Sequence, residues 1–518
     1  MNFWSKRTFT GDEAPRSTWL PLTIAGCFKD TIFQFISLFL LLFIQYGTDL
    51  PLDPNFNTYF LVITIGLIVI KTVGTTFMFP LMVHLSNLIK LKSGNFRPYV
   101  FIGAASSMVF FLLMFFDTLS GWAFVVTFLI YYFFFEICFS INDFGYWGFF
   151  TSLTSIESVK AKYGAFSAIF IAIGTYALAS IVPAISAGQA KLTLRIIVAV
   201  IAALFVLSSL ILCFITKERP IEFNYKSHFT DTFKILKQNK YSRASLIMLA
   251  LFFTAQFIVM GTSVNLFYYT YGYGNQPIYG SLLASGGFTG VCFIFTIVYG
   301  LASSFSQFMY PLINKKLPRK KILTISTMGV ITCYLLIYFI FSNRGMIYYF
   351  FIIEFIMILF QGQINAIVLL SSNILPEINE YLTNERRDKE FMALKNVFVK
   401  YSGAFQTGFF YMFLSFSGLS DLNQKIGDYE AQGVVNTGFD VVNAVNTAIM
   451  NTISSSDYDS HLMIYKILTY ILPAILFLII WIIYMKFYNI DEAKFKEINL
   501  EVKNRKLNTN KNKSITNN

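Results

Sequence analysis

Charge is what this chain has least of. Only 13% of its 518 residues are Asp, Glu, Lys or Arg, while 55% are hydrophobic. A soluble domain carries about twice that charged share, so a water-facing fold is excluded. Cysteine is sparse too. The five, Cys27, Cys138, Cys213, Cys292 and Cys333, lie in apolar runs and form no C-x-x-C pair. That pattern excludes a disulfide scaffold and the usual zinc spacings, and it predicts five free, buried thiols. The chain also lacks a Gly-rich phosphate loop, a metal-ligand spacing and a nucleophile–base set. Neither cofactor nor metal is expected, and a membrane enzyme is disfavoured. Met1 to Arg16 is polar and has no signal-peptide core.

What the chain does have is long apolar runs. A helix needs about 20 apolar residues to cross a bilayer. Twelve candidates run near 20–46, 59–89, 98–117, 121–150, 164–187, 192–216, 241–270, 284–310, 320–342, 346–375, 392–417 and 462–487. Aromatics reach 18%, mostly Phe and Tyr, which suits helices that face lipid and one another. The net charge of +12 would suggest nucleic acid in a soluble protein. Here Lys and Arg cluster in short loops between the runs, so the charge is read as topology and no nucleic-acid partner is expected.

Loop charge orients the spans. One side carries Lys6 and Arg7, then Lys90, Lys92 and Arg97, then Lys160 and Lys162. The basic connection 217–240 and the pairs Lys315–Lys316, Lys320–Lys321 and Arg386–Arg387 lie on that side too. Asp49, Asp53, Asp117 and the acidic segment 418–460 lie on the other. Both termini are therefore expected in the cytoplasm. The predicted layout is a cytoplasmic N-terminus (1–19), a six-helix bundle (20–216), a cytoplasmic linker (217–240) and a second six-helix bundle (241–487). A cytoplasmic tail (488–518) follows, disordered from about residue 500 by its polar composition. The external loop 418–460 is read as a tolerated insertion rather than a lid. Basic loops follow the second span of each half, which suggests an all-α polytopic protein of two pseudo-symmetric halves with its site between them.

Ionisable residues at membrane depth are costly and mark solute or proton pathways. On span 4, Glu136, Ser140, Asp143 and Trp147 are spaced by four, three and four, which places them on one helical face. A carboxylate beside an aromatic platform suits a polyol, with hydroxyls for the acid and a C–H face for the ring. On span 1, Asp30 shares a face with Gln34, and Lys29 points about 100° away. On span 2, Lys71 shares a face with Thr75. On span 11, Lys400 lies inside the apolar run. Each lysine predicts a nearby carboxylate or a wet cavity. A purely structural ion pair is the bland alternative for each. Gln256 on span 7 and Glu354, Gln361 and Asn365 on span 10 are further candidates to line a cavity, or simply to bond between helices.

These residues resemble a known family. Phe28-Lys29-Asp30, Gly94-Asn95-Phe96-Arg97-Pro98-Tyr99, Asn142-Asp143-Phe144-Gly145-Tyr146-Trp147, Glu377 to Tyr381 with Arg386-Arg387, Lys400 before Ser402-Gly403-Ala404, and Ile471-Leu472-Pro473 occur in order. Together they are similar to the motifs of the glycoside–pentoside–hexuronide:cation symporters, a branch of the major facilitator superfamily that includes the melibiose permease. The resemblance implies the major facilitator fold of twelve transmembrane helices. It implies sugar contacts at Asp30, Asp143 and Trp147, with Lys400 near the sugar and cation sites. Gln34 and Gln256 join these as candidate substrate ligands. A small sugar, a proton and membrane lipid are the expected partners, and the expected state is a monomer in the plasma membrane.

The departures concern coupling. The family's helix 2 carries two carboxylates that bind sodium or a proton. Counted back from Gly94 and Pro98, those positions are Thr75 and Phe79 here. The family's helix 5 arginine falls on Ala168. Three buried acids, Asp30, Glu136 and Asp143, face three lysines, Lys29, Lys71 and Lys400. The reading is that Lys71 acts as a built-in cation one turn from Thr75, compensating Asp143 or Asp30. Transport would then be uniport, exchange or proton-coupled rather than sodium symport. Competing readings are a carrier of a non-sugar solute, such as an amphipathic lipid, and a sensor that binds solute without moving it.

Overall fold

The computed structural model describes residues 16–88, 96–151, 157–217, 230–273, 291–341, 346–435, 440–454, 458–490, 494–498, 500–502 and 504–505, with the side chains of 151–165, 168, 238, 434, 435 and 453 left aside. Six long helices come first: α1 (Trp19–Tyr46), α2 (Phe56–Leu88), α3 (Arg97–Phe116), α4 (Gly121–Thr151), α5 (Glu157–Ser186) and α6 (Ala190–Ile215). A short amphipathic helix, α7 (Asp231–Gln238), leads into α8 (Lys240–Tyr271). Then come α9 (Val291–Asn314), α10 (Arg319–Ile340), α11 (Ile347–Asn373), the short α12 (Leu375–Thr383) and α13 (Asp388–Ser417). Two helices, α14 (Ser420–Val435) and α15 (Val441–Ile453), occupy the segment after α13. The last span runs through α16 (Tyr458–Lys466), a π-helical turn at Ile467–Ile471 and α17 (Leu472–Ile483).

All twelve predicted spans are helical over their described residues; 89, 284–290 and 342 lie outside these. Eleven are long and apolar enough to cross a membrane. The other, α13, has 30 residues but carries Asp388, Lys389, Glu390, Lys395 and Lys400. It is shielded by packing between α2 of the first half and α8 of the second. Outward-facing stripes explain why the rest suit lipid. On α2, Ile65, Val69, Val73 and Phe77 are exposed at a spacing of four, and α9 exposes Leu301, Phe305, Phe308 and Leu312. A helix satisfies its own backbone, so such a face needs only apolar side chains in hydrocarbon.

The halves meet along two seams, α2 against α13 and α5 against α9. Glycines set how closely the helices approach. A Cβ at Gly26 would strike the Tyr146 hydroxyl, and one at Gly103 would strike the Asn142 backbone. Gly145, where the resembled motif has proline, lets α3 come so near that a Cβ would meet the Val100 nitrogen at 2.7 Å. Asn142 then donates to the Val100 carbonyl at 2.6 Å.

The 418–460 segment, expected as a tolerated loop, is largely helical and packed. Leu422, Ile426 and Glu430 recur every four residues and are all buried, as are Val441, Val445 and Ile449 on α15. This 3.6-residue periodicity is sufficient for two amphipathic helices. Asp440 caps α15 by accepting from the Asn443 amide. The acidic composition concealed that pattern.

Candidate functional site

Helix α1 supplies Lys29 and Asp30, and α4 supplies Asp143 and Trp147. Neighbours on a helix point about 100° apart, yet the long Lys29 side chain reaches back to both carboxylates. Its ammonium lies 2.6 Å from Asp143 Oδ1 and 2.8 Å from Asp30 Oδ1. The rings of Tyr146 and Trp147 complete its enclosure, with centroids at 5.1 and 5.0 Å. Aromatic faces attract a cation at this range. Here the Lys29 ammonium occupies the ring face of Trp147 that the sequence suggested for a sugar. Asp30 is the most open of the three charged groups, with 20% of its side chain exposed.

A second pair lies deeper along α4. Lys400 of α13 bonds Glu136 at 2.5 Å and Ser140 Oγ at 3.0 Å. Phe79 and Phe139 flank it. This pair joins the two halves, because Glu136 belongs to the first bundle and Lys400 to the second. The i, i+4 spacing of Glu136 and Ser140 lets one lysine engage both.

Lys71 differs from the other two lysines. It is buried, and among the described residues no carboxylate lies within ion-pair distance of it. Its ammonium lies over Phe33 at 5.3 Å and occupies the space that a side chain at Gly403 would need. Glu136 and Lys400 are its charged neighbours. Compensation of Asp143 and Asp30 therefore comes from Lys29, adjacent on α1, rather than from Lys71 as the sequence suggested. Thr75 turns inward and donates to the Lys71 carbonyl.

The remaining candidates are less tightly bound to this set. Gln34, one turn after Asp30, has a buried Oε1 with no hydrogen bond among the described residues. Gln256 of α8 lies apart, beside Tyr176 and Tyr299 on the α5–α9 seam. The side chain of Ala168 lies outside the described residues. Glu354 is fully buried in the second half, and neither carboxylate oxygen has a hydrogen bond among the described residues. Sequence reasoning passed over Gln406, gave Tyr146 no role beyond its place in a motif, and placed Ser37 on the face of Asp30. Tyr146 cradles Lys29, and Gln406 donates to the Ser37 carbonyl at 2.8 Å, tying α13 to α1. The available signal for Gln406 was a lone amide inside an apolar run.

Taken as energetics, these pairs are poor stabilisers. Two charges about 4 Å apart gain about 4 kcal/mol at an effective dielectric near 20, and removing both from water costs a comparable amount. What they supply is a set of directional polar groups at the join between the halves.

Relatives are distant in sequence. The chain is 24% identical over 394 residues to a lactose permease of Lactobacillus helveticus, covering 71% of this chain and 58% of that protein. It is 23% identical to a lactose permease of Leuconostoc lactis, covering 66% and 54%. The chain thus spans little more than half the length of these curated relatives. A solved D-xylose–proton symporter superposes with a TM-score of 0.55 at 14% identity, covering 91% of this chain and 97% of that one, a likeness of fold. Residues 60–492 match the family model for MFS/sugar transport proteins, and the chain belongs to that family.

Proposed function

We propose that this protein is a secondary transporter of a sugar, a glycoside or oligosaccharide, acting by alternating access in the plasma membrane. The observation that carries the reading is the buried ion set where the halves meet. Lys400 and Glu136 link the bundles at 2.5 Å, and Asp30 and Asp143 converge on Lys29 beside Trp147. Such a set adds little stability, so its retention at membrane depth supports a working role. Asp30, with its exposed edge, accepts sugar hydroxyls. Asp143 and Trp147 take part once the Lys29 ammonium moves aside, Gln34 binds from the flank, and Gln256 meets the solute farther off, at the α5–α9 seam. The charges are paired with one another rather than set out as nucleophile and base, which favours a carrier over an enzyme. The lactose permeases among its relatives make lactose the first solute to try.

The coupling reading is that sodium is not required. Lys71 brings a fixed positive charge next to Thr75, where the resembled family places a cation-binding acid. Transport is then uniport, exchange or proton-coupled, with Asp30, Glu136 and Asp143 as the acids able to carry a proton. The positive-inside rule supports cytoplasmic termini, and one chain holds the whole ion set, which is consistent with a monomer.

The test is uptake of labelled lactose and other glycosides by the full chain in proteoliposomes, with and without sodium and a proton gradient. Glycoside uptake or counterflow without sodium stimulation is expected. No flux of any glycoside would overturn the transporter reading. Sodium-stimulated uptake that survives Lys71→Ala would overturn the coupling reading alone.

A further inference from the structure

Helix α14 lies across the end of the bundle where α1 finishes and α6 begins, on α1, α6 and the turn at Leu50–Leu52. It approaches α1 very closely, since a Cβ at Gly427 would meet the Gln45 carbonyl and the Pro51 ring. Its inner face is polar as well as apolar. Glu430 is fully buried. Its carboxylate accepts from the Gly188 amide at 2.6 Å and the Ala190 amide at 3.1 Å, where α6 begins in the first half. The Tyr273 hydroxyl, just beyond α8 in the second half, donates to the same carboxylate. Two turns earlier, Asn423 Oδ1 accepts from Tyr46 of α1 at 2.5 Å and from Tyr269 of α8 at 3.4 Å. Two side chains of one helix therefore bind both halves at once.

We propose that α14 and α15 form the outer gate of the transport path and that Glu430 is its latch. This rests on the transporter reading above. The halves cannot separate on this face without breaking the bonds of Glu430 or Asn423. All of these are hydrogen bonds, each exchangeable for water at small net cost. The layer beneath is built for such an exchange. Gln45 is fully buried below α14, and both its amide nitrogen and oxygen lack partners among the described residues. A permanent cap would leave these groups unsatisfied in every state, whereas a cap that lifts lets water or solute reach them. Gly418 supplies the joint. It ends α13 in the left-handed region at φ 69°, two residues before α14 begins, a conformation that favours glycine.

The test uses the full chain with its five native cysteines replaced by alanine and a reporter Gln45→Cys. It is placed in sealed cells and exposed to a membrane-impermeant maleimide. Glu430→Ala should speed labelling of the reporter at least tenfold, with Glu430→Gln and Tyr273→Phe in between and monodisperse protein retained. Equal labelling rates in all three variants would overturn the proposal. Should Glu430→Ala fail to fold, the other two decide. In a second arm, Tyr46→Cys and Asn423→Cys are bridged by a cleavable thiol crosslinker. Lactose exchange should stop and return on reduction. Undiminished exchange under full crosslinking would also overturn the gate. Absence of exchange even in the unmodified protein would count against the transporter reading instead, and labelling of the reporter would still decide the gate.

Discussion

The two halves share a helical plan but solve burial of polar groups differently. The first half buries ions. Lys29, Asp30, Lys71, Glu136 and Asp143 all lie on α1, α2 and α4. In the core of the second half, neutral groups bond one another. Tyr299 donates to Gln361 at 2.9 Å, and Gln363 bonds Ser306. Charged side chains are buried there too, Glu354, Glu390 and Glu430 among them, and Lys400 reaches out of its own half to Glu136. The difference suggests that the first half holds the electrostatics of the cycle and the second supplies a hydrogen-bonding wall. A rocking motion would then open and close one ionic contact, Lys400–Glu136, rather than a lattice of them.

The most damaging test of that view is Lys29→Ala. It would strand two carboxylates in one enclosure. Breaking a buried pair typically costs about 3–5 kcal/mol, so the midpoint of thermal unfolding in detergent should drop sharply and glycoside uptake should vanish. Lys29→Met with Asp30→Asn and Asp143→Asn should restore the midpoint but not uptake. If Lys29→Ala unfolds at the wild-type temperature, the ionic first half is not holding itself together. Next in size is Glu136→Ala, which strands Lys400 alone. A loss of about 3 kcal/mol is expected, recovered when Lys400→Met is added. A double-mutant cycle on thermal midpoints measures the coupling between the halves, and a coupling near zero would mean that they are joined elsewhere.

Much of the fold was legible because bilayer physics is strict. Run length gave twelve spans, and α13 was recognisable despite Lys400 because apolar residues flank it on both sides. The site was legible in part. Spacing on α4 placed Glu136, Ser140 and Asp143 on one face, and the structure pairs two of them with lysines. Which lysine meets which acid was not legible. Lys29 was set about 100° from Asp30 by helical geometry, but its four-carbon stem overrides that angle, a freedom that periodicity does not encode. Packing of α14 was hidden for another reason. Its partners, Gly188, Ala190 and Tyr273, are far away in sequence, and its acidic surface resembles a solvated loop.

Lys71→Met tests the odd lysine. With no carboxylate paired to it among the described residues, its removal breaks no salt bridge. Stability should hold or rise by about 1–3 kcal/mol, the range for removing an unsatisfied buried polar group. The contrast with Lys29 and Lys400 is the informative result. A loss as large as that of Lys29→Ala would reveal a pairing that forms in another state of the cycle.

The smallest effect is expected from one substitution made in both halves. Glu136→Gln keeps the shape of the side chain but takes an anion from Lys400, so it should lower the thermal midpoint and glycoside uptake together. Glu354→Gln makes the same chemical change in the second half, where neither oxygen has a hydrogen bond among the described residues to lose. Its thermal midpoint should move by less than about 1 kcal/mol equivalent, the scale of a single neutral hydrogen bond. A large stabilisation by Glu354→Gln would mean that an uncompensated charge sits there. A strong fall in uptake with an unchanged midpoint would give Glu354 a part in transport, and the electrostatics of the cycle would then be divided between the bundles.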